Sequence, residues 1–144
     1  MSKFDKAIRI PCKLSSNFFK QWLIFLTPLT HLTPKVIDVA AVLLRHRHEL
    51  SRVISDDEIL NKYLMGIELR EKLLKELNIT LPNHYMTLDK LRKAGFIIDG
   101  KINPKFIPPV KDNAGSFSLL LYFELLDGKQ EEANISKDSE SPGV

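Results

Sequence analysis

The segment from Glu71 to Pro108, EKLLKELNITLPNHYMTLDKLRKAGFIIDGKINPKFIP, constrains the fold more than any other part of this chain. Apolar residues recur there at helical spacing, stop, and recur again. The spacing predicts a helix over Ile67–Leu77, with Leu69 or Arg70, Leu73, Leu74 and Leu77 facing inward. Asn78 stands where the chain must leave that helix, and asparagine tolerates the left-handed conformation better than most residues. Ile79 can plug the corner. Thr80 is a good cap for a second helix, and Pro82 is tolerated in its first turn, where the amides lack intrahelical partners. That helix is expected to run to Ala94, with Leu81, Tyr85 or His84, Leu88 and Leu91 inward. Gly95 can end it by entering the left-handed region.

Beyond Gly95 the chain reads as β structure. FIIDGKIN places two short apolar runs around Asp99-Gly100, a pair suited to a two-residue hairpin because both residues can take positive φ. SFSLLLYFEL, from Ser116 to Leu125, reads as a further strand, well covered.

Upstream, AIRIPCKL (Ala7 to Leu14) alternates in the manner of a short strand, and Pro11 assigns it to an edge. Cys12 is expected to be a small buried hydrophobe. In SSNFFKQWLIFL, Ser15 or Ser16 can cap a helix whose apolar residues cover most of its circumference. Such a helix is buried on two sides or contributes to an oligomer contact. Phe18, Phe19, Trp22 and Phe25 are the candidate homodimer residues. Thr33 and Pro34 open the next helix, with Val36, Val39, Ala40, Leu43 and Leu44 as its stripe. Ser55 and Glu58 have capping-box spacing ahead of a run with Ile59, Leu60, Tyr63 and Leu64 on its apolar side.

Bulk properties exclude several classes. At 144 residues, 44% hydrophobic and 27% charged, the chain has the composition of one soluble globular domain. No apolar run approaches the ~18–20 residues of a membrane helix, and no secretory segment is visible, so no membrane partner and a cytoplasmic location are expected. The histidines of RHRHE (Arg45 to Glu49) are two apart on a helix and do not share a face, so no metal is expected. No P-loop, dinucleotide fingerprint or triad order is present, so neither cofactor nor enzymatic activity is expected. The net charge of +3 is uneven: residues 127–144 hold five acids and two lysines, leaving +6 on residues 1–126. A basic body with an acidic tail points weakly to a polyanion partner.

LTPKVIDVAAVLL, LLKELNITLPNHYMTLDKLRKAGFI and the strand–loop–strand after them resemble winged helix-turn-helix DNA-binding domains over about residues 33–125. LRKAGFIIDGKINPKFIP also resembles small helix-turn-helix proteins encoded by tailed phages of gut bacteria. The resemblance implies that helix 81–94 enters the major groove of double-stranded DNA. Asn83, His84, Thr87 and Lys90 are then the candidate base readers, since Asn suits adenine and Lys suits guanine. Arg92, Lys93, Lys101, Lys105 and Lys111 are the candidate phosphate contacts, which position without specifying sequence.

The expected architecture is therefore mainly α with a small β-hairpin: a winged helix-turn-helix over residues 33–126. An extra N-terminal strand and aromatic helix precede it in residues 1–32, and an acidic disordered tail comes after it in 127–144. The expected function is non-enzymatic DNA binding in transcription regulation, in the bacterial host if the chain is phage-encoded. The alternative is a winged-helix protein–protein interaction module, such as a virion or polymerase-complex component, without DNA contact.

Overall fold

A computed structural model describes residues 8–13, 15–110, 118–120 and 124–126. The chain divides into two compact units, Met1–Pro108 and Pro109–Val144. The described part of the first is mainly helical with a small antiparallel sheet. Its elements are α1 (Ser16–Phe25), α2 (Thr27–Thr30), α3 (Pro34–Ser51), α4 (Asp57–Leu64), α5 (Ile67–Leu77), α6 (Leu81–Lys93), β1 (Ile97–Ile98), β2 (Lys101–Ile102) and a 3-10 turn at Pro104–Phe106.

The helix most surrounded by protein is α3. Eight of the nine positions from Val36 to Leu44 are buried, on every side of the helix. The reason is its position: α1 packs along it, and α4, α5 and α6 also pack against it. The apolar stripe read from the sequence is thus part of a stretch covered on every side, while both ends of α3 stay open. By contrast α1, expected to be buried on two sides or to contribute to an oligomer contact, buries one side only within this chain. Phe19, Trp22 and Leu23 are buried there, while Ile24 and Phe25 stay exposed. A salt bridge from Lys20 to Asp38 (2.8 Å) ties the rim of this contact.

The four candidate dimer residues are accordingly split. Phe19 and Trp22 belong to this chain's own core and cannot meet a second copy. Phe18 is half-buried, its ring 5.2 Å from that of Phe19. Phe25 alone of the four is exposed.

Helix ends are set by local chemistry. Asp56, not Ser55, caps α4, its carboxylate accepting from the amides of Glu58 (2.9 Å) and Ile59 (3.1 Å). A carboxylate there also meets the positive end of the helix dipole. The inward face of α4 is Leu60, Asn61 and Leu64, and Ile59 points outward.

The next two helices close alike. Asn78 takes φ 52°, with its amide donating to Lys75 O and the Ile79 amide to Leu74 O. Gly95 takes φ 80°, with its amide donating to Arg92 O and the Phe96 amide to Leu91 O. Both are Schellman ends, in which one left-handed residue lets two amides satisfy the last carbonyls. The first of them delivers the chain to Thr80, whose hydroxyl accepts from Asn83 N and opens α6.

The hairpin is as short as its sequence anticipates. Asp99 and Gly100 both have positive φ (53° and 73°), as a two-residue turn of the I′ kind requires. Ile97 pairs with Ile102, both buried, and Ile98 pairs with Lys101, both exposed. Two side-chain amides fasten this ribbon. Asn61, buried on α4, accepts from Ile102 N (3.4 Å) and donates to Asp57 O (2.8 Å). Asn103 donates to Gly95 O (3.0 Å) through its side chain, while its own amide donates to Phe96 O (2.8 Å).

Neither of two expected strands is found among the described residues. Residues 8–13 form no strand; Ile8 and Ile10 are exposed, and Cys12 is an exposed free thiol rather than a core residue. Residues 118–120 and 124–126, within or beside the expected strand Ser116–Leu125, are likewise neither strand nor helix, and Leu119, Leu120 and Leu125 are exposed. An apolar run forms a strand only with a partner edge for its amides, and none of these described residues has one. The acidic segment 127–144 lies outside the described residues.

Candidate nucleic-acid interface

The placement of α6 is fixed by which of its residues are buried. His84, Leu88 and Leu91 form the inward line, at i, i+4 and i+7. Of the two alternatives Tyr85 and His84, the inward one is His84, at 4% exposure. It therefore cannot serve as a base reader. Tyr85 is turned outward, 48% exposed, and Leu81, expected inward, is exposed as well.

Helical geometry at about 3.6 residues per turn then fixes the rest. Pro82, Met86, Asp89 and Lys93 lie farthest from the core. Asn83, Thr87 and Lys90 form one flank, and Tyr85 and Arg92 the other. Asn83 and Lys90 are exposed. Thr87 is half-buried, and its hydroxyl donates to Asn83 O at 2.9 Å. Lys93 pairs with Asp89 at 3.1 Å, on the surface and one turn apart, an arrangement that contributes only a few tenths of a kcal/mol.

Lys90 and Lys93 border a cleft of about 270 Å³ with Ala94, the link Thr30–Thr33 and Val36. The N-terminus of α3 opens beside it. Thr33 precedes that helix without capping it through its side chain, and Pro34 brings no amide hydrogen. The first amides of α3 thus face this side without an intrahelical or side-chain acceptor.

Arg92 does not join this group. It stands across α6, with Arg70 of α5 and Tyr85. Arg70 donates to the Tyr85 hydroxyl at 2.9 Å, and its guanidinium lies 5.7 Å from the Tyr85 ring centre, within cation–π range. Sequence reasoning does not single out this cluster. Arg70 and Tyr85 are fifteen positions apart on successive helices, so only the turn at Asn78–Thr80 brings them together.

Lys101 is exposed at the start of β2, and Lys105 is exposed in the 3-10 turn after it. Lys111 lies outside the described residues. In RHRHE, Arg45 pairs with Glu76 of α5 and Arg47 with Asp57 of α4 (3.3 Å), so these arginines tie α3 to its neighbours. His46 is held below the ordinary imidazole range by burial and by the adjacent Arg45, only partly offset by Glu49 and Glu76. His84 is lowered in the same sense, first by burial and then by the charge of Arg70. Among the described residues no helix is long and apolar enough to cross a membrane. Comparison with protein-family models, with curated proteins and with solved structures found no match to this chain.

Proposed function

We propose that this chain is a winged helix-turn-helix protein that binds double-stranded DNA without catalysing a reaction, as a transcription regulator. In this reading α3, α5 and α6 are the three helices of the domain, α6 enters the major groove, and the β1–β2 hairpin is a short wing. The observation that carries it is the exposed flank of α6, which presents Asn83 and Lys90, with Lys90 and Lys93 bordering the cleft beside the uncapped N-terminus of α3. Asn and Lys are side chains that contact base edges. Helix N-terminal amides receive phosphate. Lys93, Lys101 and Lys105 supply further cations on α6 and after the turn. From Ile79 to Val110 five basic residues stand against Asp89 and Asp99, a net +3.

The test is fluorescence anisotropy of random-sequence duplex DNA titrated with the full chain across a salt series. Binding that weakens steeply and linearly on a log–log plot supports phosphate contact. No binding at low salt removes the reading.

One observation favours a second reading, a protein–protein module of the same fold. The part of α6 farthest from the core carries Met86, 58% exposed, and the flank next to it carries the exposed Tyr85. Aromatic and methionine side chains are enriched in protein interfaces. Under this reading Met86→Glu abolishes capture of the partner, and DNA affinity is absent from the start.

A further inference from the structure

Between α5, α6, the α4–α5 junction and the hairpin turn lies a cavity of about 180 Å³. Its floor is apolar, formed by Leu69, Leu73 and Leu88. Its polar side chains are four: the guanidinium groups of Arg70 and Arg92, the phenol of Tyr85 and the imidazole of His84. None of the lining residues is acidic. Among the described residues no carboxylate pairs with either arginine.

His84 is the group that needs explaining. It is 4% exposed, and its Nδ1 is buried without a hydrogen-bond partner. A buried polar atom left so is destabilising by about 1–3 kcal/mol. Other buried polar side chains of this unit, Asn61 and Thr30, do have partners. Arg45 Nε and Arg47 Nε are buried without a partner too, but those side chains are held by ion pairs to Glu76 and Asp57, whereas His84, which lines this cavity, has no such pair among the described residues.

Volume and chemistry together define an occupant. An apolar cavity of about 150 Å³ holds a benzene-sized molecule. This one is slightly larger, and two guanidiniums without a carboxylate partner stand with a phenol at its polar side. A planar guanidinium fork matches a carboxylate. We propose that the cavity is a binding site for a small organic acid, with its apolar body against Leu69, Leu73 and Leu88. Its carboxylate is received by Arg70, Arg92 and His84. The Nδ1–H tautomer of neutral His84 donates to one carboxylate oxygen, which gives the orphaned nitrogen its partner. This site stands whether or not the chain binds DNA.

The experiment uses the full chain with benzoate and hexanoate as probes and benzamide as the uncharged match of benzoate. Affinities come from calorimetry, and ¹H–¹⁵N spectra locate the site. Benzoate or hexanoate is expected to shift the amides of Gly66, Tyr85 and Gly100, and the ring nitrogens of His84. Benzamide is expected to bind at least tenfold more weakly than benzoate. Arg70→Gln and Arg92→Gln each lower benzoate affinity at least tenfold, and thermal melting identifies the variant that keeps its fold. His84→Phe, which keeps a planar ring without the nitrogen, gives a smaller loss of the same sign. No binding of either acid at millimolar concentration overturns the proposal. So does equal binding of benzoate and benzamide, unchanged affinity in a folded arginine variant, or shifts confined to residues outside the cavity.

Discussion

The indole N–H of Trp22 donates to the backbone carbonyl of Phe106 at 2.9 Å, across 84 positions of sequence. One bond thus joins α1 to the turn after the hairpin. The Phe106 ring, in turn, lies 5.9 Å from that of Phe96, the residue leading into β1. The aromatic helix is therefore part of what holds the hairpin in place, rather than an appendage to the domain.

Trp22→Phe keeps a large apolar ring but leaves the Phe106 carbonyl without its donor. Unfolding in urea should show a loss of about 1–3 kcal/mol, the magnitude of a buried hydrogen bond broken on one side. A midpoint equal to that of the unaltered chain would mean that solvent replaces the indole at no loss.

Asn61 does for β2 what a third strand would otherwise do, accepting from its Ile102 amide. Asn61→Leu is close in size and leaves that amide without an acceptor. A loss of about 1–3 kcal/mol is expected, with faster hydrogen exchange at Ile102 as its local signature. Unchanged exchange there would show that the bond contributes nothing.

The two Schellman ends differ in residue and should differ in response. A Cβ added at Gly95 meets nothing within 4 Å. Gly95→Ala should nevertheless destabilise by about 1–2 kcal/mol, because left-handed backbone is unfavourable for an L-residue. Asn78→Gly relieves the same strain and should be neutral or slightly stabilising, whereas Asn78→Ala should be destabilising. Thermal melting of the three variants checks the order.

His46 and His84 both titrate below the ordinary histidine value of about 6.5 in the folded chain. As pH falls through 6.5, the unfolded chain takes up protons that the folded chain refuses, so unfolding becomes more favourable. Stability should be flat above about pH 7.5, fall as the pH drops through the unfolded value, and level off below the folded ones. The double variant H46Q/H84Q should be less stable at neutral pH and should lose this slope. Melting temperatures between pH 5.5 and 8, at constant ionic strength, distinguish the outcomes.

If α6 reads DNA, its flank residues should not contribute alike. Lys90→Ala should reduce preference for a selected sequence by tenfold or more, a loss within the ~1–3 kcal/mol of one base contact. Thr87→Ala should do less, since its half-buried hydroxyl already donates to Asn83 O. Lys101→Ala should weaken all duplexes similarly and lower the salt slope by about one. Equal behaviour of all three would dissociate α6 from recognition.

Elements whose signals are local are legible in the chain of residues alone. Asn78, Thr80 and Gly95 mark the ends of α5 and α6 because their side chains, or the lack of one, act on backbone within a turn of themselves. Asp99-Gly100 marks the hairpin for the same reason. Which apolar residues would be covered was a different matter. The spacing of α6 admits either His84 or Tyr85 as the inward ring, and a rotation of one residue, about 100°, exchanges them. Packing against the rest of the core decided it, burying His84 and giving Tyr85 to Arg70. Likewise α1 is the more apolar helix by composition, yet α3 is the one covered on every side from Val36 to Leu44, because other helices converge on that stretch. The run Ser116–Leu125 has strand composition, but its described residues form no strand. Local preference specifies where a helix or turn begins and ends. Burial depends on neighbours distant in sequence, which meet only when the helices pack.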